Sequence, residues 1–316
     1  MRKSIYSLVL LGASTACAFG AAKDLLDAAL RGDGERIGAL LREGADPNAP
    51  GSDGTTPLMN AARSGDLASV RILLEAGARV RVWGPGGHSA WDLAPAANTR
   101  LREELSRRRA REIRDFPAVL PPAGISLQAM LRLVAAPSLT SAPARRRIVG
   151  ALQFLRNRWQ RMRGRQAVAG PPVAGNGFAR SLARDLYALD LALYTNDAAL
   201  LDAIAADLET KASDCAARPE GLGGDVKVTL KTIAPRGEVS GWKLAYIERF
   251  LWDLRDKISS FSQQWHECSR LSAAIDEPIP AGNYALVAIS PEARSSQPKM
   301  IEVAVTRPAV FEIVVP

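Results

Sequence analysis

The sequence predicts a multidomain α + β protein: a stack of repeated helical hairpins first, central helices next, and an antiparallel β-sandwich last. Three observations lead there. A block of small and branched residues returns after 33 positions, apolar residues between 145 and 217 recur at helical spacing, and beyond 224 apolar and polar residues alternate. The chain has 316 residues with 47% apolar content, ample for more than one packed core, and its 25 glycines and 20 prolines gather where such units would join.

The first element, residues 1–20, reads as a secretory signal peptide. Arg2 and Lys3 give a positive start, Ile5 to Ala16 is apolar and small, and Ala16-Cys17-Ala18 has the form of a cleavage site. The run of about 12 residues is too short to span a bilayer, which takes about 20. Ser14-Thr15-Ala16-Cys17 has the small residues of a lipoprotein box but lacks the Leu three places before Cys17. Cleavage and a periplasmic or secreted location are therefore preferred over lipid attachment. In an oxidising compartment the two remaining cysteines, Cys215 and Cys268, suit one disulfide. It would close a loop of about 53 residues, worth about 4 kcal/mol. The alternatives are two free thiols, or a metal site completed by His266, which no CxxC spacing supports.

The second element, residues 21–116, carries the repeat. Asp27-Ala28-Ala29-Leu30-Arg31-Gly32-Asp33 overlays Asn60-Ala61-Ala62-Arg63-Ser64-Gly65-Asp66; Ile37 falls on Val70, Leu40 and Leu41 on Leu73 and Leu74, and Gly44-Ala45 on Gly77-Ala78. A partial third copy follows, with Gly54-Thr55-Thr56-Pro57-Leu58 over Gly87-His88-Ser89-Ala90-Trp91. Thr56 is placed to cap a helix that Pro57 begins, Gly65 to end it, and Leu67 to Glu75 to form the returning helix with Val70, Leu73 and Leu74 inward. Arg100 to Arg114 supplies a closing helix, with Leu101, Leu105 and Ile113 inward.

Gly54-Thr55-Thr56-Pro57-Leu58-Met59-Asn60-Ala61-Ala62 resembles the G-x-T-P-L-H-x-A-A signature of ankyrin repeats, with Met59 where the family usually has His. The resemblance covers residues 21 to 114, and the first unit reads as a cap because it lacks a Thr-Pro start. It implies a non-catalytic stack that binds another protein through hairpin fingers and the concave helical face. The fingers would be Ala45 to Gly54 and Ala78 to Gly87. In the second, Arg79, Arg81, Trp83 and, at its end, His88 combine cations with aromatic rings, the composition favoured at binding hot spots, and are the expected contact residues. The competing reading of Trp83 is packing against its neighbour finger.

Residues 117–144, rich in Pro, Ala and Ser, read as a linker with one or two helical turns around Leu127 to Val134. The segment 145–217 reads as a basic amphipathic helix, with Ile148, Leu152, Leu155, Trp159 and Met162 on its stripe, followed by a helical hairpin divided at Asn196-Asp197. Sixteen arginines against four acids fall between Arg100 and Arg165. An acidic protein or an anionic membrane surface fits that excess better than nucleic acid, for which no base-stacking or groove-reading motif is present. The plainer reading makes the arginines the solvated face of core-packed helices.

The last element, residues 224–316, is expected to hold about five strands. Val226, Val228 and Leu230 alternate with polar residues, as do Ile301, Val303 and Val305, and Phe311, Ile313 and Val315. Ile279-Pro280-Ala281-Gly282-Asn283-Tyr284 weakly resembles the turn of carboxypeptidase-regulatory and transthyretin-like sandwiches. Glu248 to Ser272 reads as an excursion across the sheet.

Nothing in the sequence marks catalysis, cofactor or metal binding. His88 and His266 stand in no nucleophile or metal motif, and Gly221 to Gly224 precedes a strand where a phosphate loop would precede a helix. Asp185 and Asp190, on helices rich in Leu and Ala, read as surface charges. The expectation is an exported, non-enzymatic protein that sequesters or scaffolds a protein partner, with an immunity or inhibitor role as a sharper form. The alternative is an envelope-associated structural protein whose sandwich binds cell-wall glycan or surface.

Overall fold

A computed structural model of the chain describes residues 20–115, 120–135, 142–166, 176–217, 225–233, 242–254, 274–289 and 299–315. The expected signal peptide, Cys17, and the stretch with Trp265, His266 and Cys268 lie outside the described residues. The chain divides into two compact units, Met1–Ile113 and Arg114–Pro316.

The first unit is a run of short antiparallel helices: α1 over residues 20–31, α2 Gly34–Arg42, α3 Pro57–Ser64, α4 Leu67–Glu75, α5 Ala90–Leu93 and α6 Thr99–Glu112. Each break has a local cause. Thr56 accepts the Met59 N–H at the start of α3 and Asp66 accepts the Ser69 N–H at 2.7 Å at the start of α4. The helices end on glycines with positive φ, and these recur at the repeat distance: Gly32 with Gly65, Gly44 with Gly77, and Gly54 with Gly87 in the fingers. Ala28, Ala29, Ala61 and Ala62 are fully buried, so paired helices meet across methyl groups, while Ile37, Leu40, Val70, Leu73, Leu101 and Leu105 fill the space between pairs.

The second unit combines four long helices, α7 Ala123–Ala135, α8 Ala142–Gln166, α9 Asn176–Thr195 and α10 Ala198–Ala217, with two three-stranded sheets. The segment expected as a linker therefore holds a 13-residue helix. Leu127, Met130 and Val134 bury one face of α7, and Gly124 permits its approach to α8: a Cβ there would stand 2.8 Å from the Trp159 Nε1. Asn196, at φ 54°, separates α9 from α10 as its sequence position predicts.

Among the described residues six strands, β1 Asp225–Ile233, β2 Lys243–Glu248, β3 Ile275–Pro280, β4 Gly282–Ile289, β5 Lys299–Val305 and β6 Ala309–Val314, form sheets of order β3-β1-β6 and β2-β4-β5. One departure from the expected all-antiparallel sandwich stands out: β6 runs parallel to β1, with Leu230 opposite Phe311. The link at 306–308 carries the chain from β5 in one sheet to β6 in the other, so the two are not a hairpin. Likewise β3 and β4, joined through Ala281 at the expected Pro-Ala-Gly-Asn turn, lie in different sheets. The inward residues of both sheets share one core, among them Val228, Leu230, Leu244, Ile279, Leu286 and Ile313. Strand β4 is buried on both faces, because α10 and the short helix α11 Arg249–Leu254 cover the face turned away from that core.

Candidate functional site

The fingers of the repeat unit are built by hydrogen bonds that repeat with the sequence. Gly51 N–H donates to Thr55 C=O at 2.8 Å, and 33 residues later Gly84 N–H donates to His88 C=O at 2.9 Å. Asn48 ties one finger to the next: its Nδ2 donates to Gly77 C=O at 3.1 Å and its Oδ1 accepts Arg79 N–H at 2.9 Å. Asp53 accepts both the N–H and the hydroxyl of Thr55, bonds that lower its pKa.

The second finger is anchored further by Glu112 at the end of α6. Its carboxylate accepts Val80 N–H at 3.0 Å and Arg108 Nε at 2.9 Å, while its carbonyl accepts an Arg81 guanidinium N–H at 3.0 Å. This corrects the expected contact set. Arg81 is 4% exposed and Trp83 6% exposed, so both hold the finger in place instead of facing outward. Gly84 lies so close to Met59 that a Cβ would meet its Sδ at 2.8 Å; where the family usually has His, this chain seats the finger on a thioether. His88 is half-buried, with its Nδ1 hidden from solvent and without a hydrogen-bond partner among the described residues. Of the four expected residues Arg79 alone is exposed, as are Asp46, Ser52, Asp53 and Pro85 of the two fingers.

Several arginines of the basic stretch are already engaged on the surface. Arg107 meets Glu103 and Glu104, Arg108 meets Glu112, and Arg147 meets Asp202 and Glu209 across α8 and α10. The Arg102 guanidinium stacks 4.2 Å from the centre of the Trp91 ring. The plainer reading of a solvated, partnered face describes these side chains.

The second unit holds a feature that sequence reasoning missed. Asp185 and Asp190, expected at the surface, are fully buried, as is Lys211. The Lys211 ammonium donates to both Asp185 and Asp207, and the other oxygen of Asp207 accepts Asn283 N–H from β4 at 2.7 Å. Nearby Arg184 donates to Glu248 of β2 at 2.8 Å, and both side chains are buried. Burial pushes the Asp185 carboxyl well above the usual carboxylate range, with Asp207 adding to the effect and Lys211 opposing it. Burial acts to lower the Lys211 pKa, yet its two carboxylates outweigh that and leave it raised. For Glu248 burial acts upward, but Arg184 and Lys211 prevail and the carboxylate is held low. Two cations, Lys211 and Arg184, thus face the carboxyl groups of Asp185, Asp207 and Glu248, and burial favours the protonated form of Asp185 among them.

The cluster borders an open cleft of about 300 Å³ lined by Asp207, Arg249, Asn283, Tyr284 and Glu302. Arg249 lies 2.8 Å from Glu302, and Asn283 donates through Nδ2 to the Thr210 hydroxyl. This arrangement ties α9 and α10 to β2 and β4. A sequence signal for it exists: Asp207, Lys211 and Asp214 fall on the same stripe of α10 as Leu200, Ile204 and Leu208, where apolar side chains belong.

Paired antiparallel helices with projecting, cross-braced fingers at a 33-residue period define the first unit as a helical-hairpin repeat stack built for binding. Residues 25–98 match the family model described as ankyrin repeats (3 copies), so this part of the chain is an ankyrin-repeat stack, a non-catalytic binding fold. No curated protein matches the chain. The likeness of the last strands to carboxypeptidase-regulatory and transthyretin-like modules finds no support in these comparisons.

Proposed function

We propose that this is an exported protein that sequesters or scaffolds a protein partner through its ankyrin fingers. The observation that carries the reading is the bracing of the fingers by Asn48, Glu112, Arg81 and Trp83, which fixes the exposed Arg79, Ser52 and Asp53 on a preorganised surface. Preorganisation lowers the entropy lost on association, which is the general advantage of such a stack over free loops. Recognition accordingly centres on Arg79 and the first finger's tip, with Arg81 and Trp83 as positioning residues. The sharper form, an immunity or inhibitor protein acting on an enzyme of the envelope, rests on the signal-like residues 1–20 together with the stack.

The test is capture of partners from an envelope extract by the full mature chain. Wild type is expected to retain one defined protein, and Arg79→Glu with Ser52→Arg is expected to lose it while melting at the wild-type temperature. Equal retention by the variant, or cell-wall retention that the variant leaves untouched, supports instead the glycan-binding alternative. The export proposal includes the Cys215–Cys268 bridge, of which Cys215 is a buried residue of α10 and Cys268 lies outside the described residues. A thiol count on the unfolded mature chain should find none free; two free thiols remove the bridge.

A further inference from the structure

We infer that the edge of strand β6 is a self-association surface that takes a second copy of this chain, joining two β3-β1-β6 sheets into one continuous sheet. Five large apolar side chains are exposed among the described residues, and three of them lie on one face of this edge: Val310 at 61%, Val314 at 56% and Ile233 at 39%, with Ile233 directly opposite Val314 in the β1–β6 register and Glu312 between the two valines. Among the described residues β6 is an edge strand, paired with β1 on one side only.

The other edge of the same sheet shows what protection looks like. Strand β3 carries Pro278 and Pro280, which lack an N–H, together with Asp276 and Glu277. Proline and charge are the usual devices that keep an edge from pairing. Strand β6 has neither proline nor lysine, and its single charge is Glu312.

The pattern of β6 also selects the occupant. Val310-Phe311-Glu312-Ile313-Val314 reads the same in class from either end, so an antiparallel copy centred on Glu312 sets Val310 against the other Val314 on the outer face, twice. It sets Phe311 against the other Ile313 on the inner face, also twice. Two glutamates meet at the centre, each flanked by Lys231, its partner across β1. The row runs Lys, Glu, Glu, Lys and is neutral. An unrelated strand has no reason to match this palindrome, whereas a second copy matches it by symmetry.

Sedimentation and light scattering of the full mature chain across micromolar to hundred-micromolar concentrations test the inference. Wild type is expected to form dimers. Val310→Lys with Val314→Lys is expected to weaken dimerisation by about 100-fold, as lysine pairs replace apolar pairs at two symmetric places. Glu312→Gln removes the central repulsion and is expected to tighten it by about 5-fold. Register is read by cysteine: Glu312→Cys sits opposite its own copy, within reach of a disulfide, and is expected to give a covalent dimer under mild oxidation, whereas Val310→Cys is not. A chain that stays monomeric throughout, or cross-linking that is equal at both positions, overturns the inference. Because none of these residues lies in the repeat unit, failure here leaves the partner-binding proposal standing.

Discussion

In the repeat unit one charged side chain, Arg81, is buried among the described residues, whereas residues 114–316 bury seven: Arg184, Asp185, Asp190, Asp207, Lys211, Asp214 and Glu248. The first unit excludes water with alanine, leucine and valine at matching places in successive copies, and spends its polar side chains on caps and fingers. The second inserts ionic groups where its helices meet the sheets. Apolar repeats stack interchangeably, so they define a shape but few unique partners among themselves. A buried charge tolerates only its own counter-ion, so Lys211 with Asp185 and Asp207 specifies how α9 and α10 face one another and, through Asn283, where β4 lies.

The largest effect that tests this contrast is loss of the central cation. Lys211→Met leaves two carboxyl groups buried without their ammonium, and breaking such a network by removing one partner costs about 3–5 kcal/mol. Chemical denaturation should show a stability loss of that order, with increased hydrogen exchange over α9 and α10. A loss below about 1 kcal/mol would mean that the cluster is hydrated in solution and that the contrast between the units is false.

In the repeat unit the largest expected effect is apolar. Trp83→Ala removes a buried indole from the second finger and should cost about 3 kcal/mol, measurable by thermal melting. Arg79→Glu on the same finger should change stability by less than about 0.5 kcal/mol. If instead Trp83→Ala is neutral and abolishes partner capture, the indole is a contact residue and its assigned positioning role is wrong.

Asp185 sharpens the comparison through pH. Its carboxyl is raised in the folded chain, so the folded state holds a proton that the unfolded state releases near pH 4. The stabilisation is complete below that unfolded value and is lost as pH climbs through the raised native value, at about 1.4 kcal/mol per pH unit between the two. Asp185→Asn copies the protonated form and should remove this slope. Melting temperatures at several pH values are expected to show the variant gaining on wild type as pH increases. Parallel curves would show that Asp185 is ionised in the folded protein.

How much of this was legible beforehand follows from the same difference. The 33-residue repetition exposes the helix starts at Thr56-Pro57, the turns at Gly65 and Gly77, and the inward rows at Val70, Leu73 and Leu74, because in a stack each local signal is also a tertiary one. Composition left the orientation of Trp83 open between outward contact and packing within the stack, and the burial of its indole decides for packing. In the second unit helices and most strands could be read from their periods. The parallel pairing of β6 with β1 could not, because it depends on a crossover between sheets at residues 306–308. Asp185 escaped because a carboxylate among leucines and alanines looks like a solvated face until its partner, 26 residues away, is placed beside it.

The smallest predicted effect returns to the repeat. Asp66 caps α4 by accepting Ser69 N–H, a bond that lowers its pKa, and the cap recurs 33 residues earlier, where Asp33 accepts Arg36 N–H at the start of α2. Replacing either by alanine should cost about 1 kcal/mol. Since the Asp66 carboxyl is lower when folded than when unfolded, its contribution is present above the unfolded value near pH 4 and fades as pH falls through the lower native one. The falling-pH and rising-pH limbs of a stability profile would then report different units. The Asp66 cap weakens the stack as pH falls, and Asp185 weakens the second unit as pH rises. Asp66→Ala should flatten only the falling-pH limb and Asp185→Asn only the rising-pH one; a variant that flattened both would show that the two units do not unfold as separate titrating bodies.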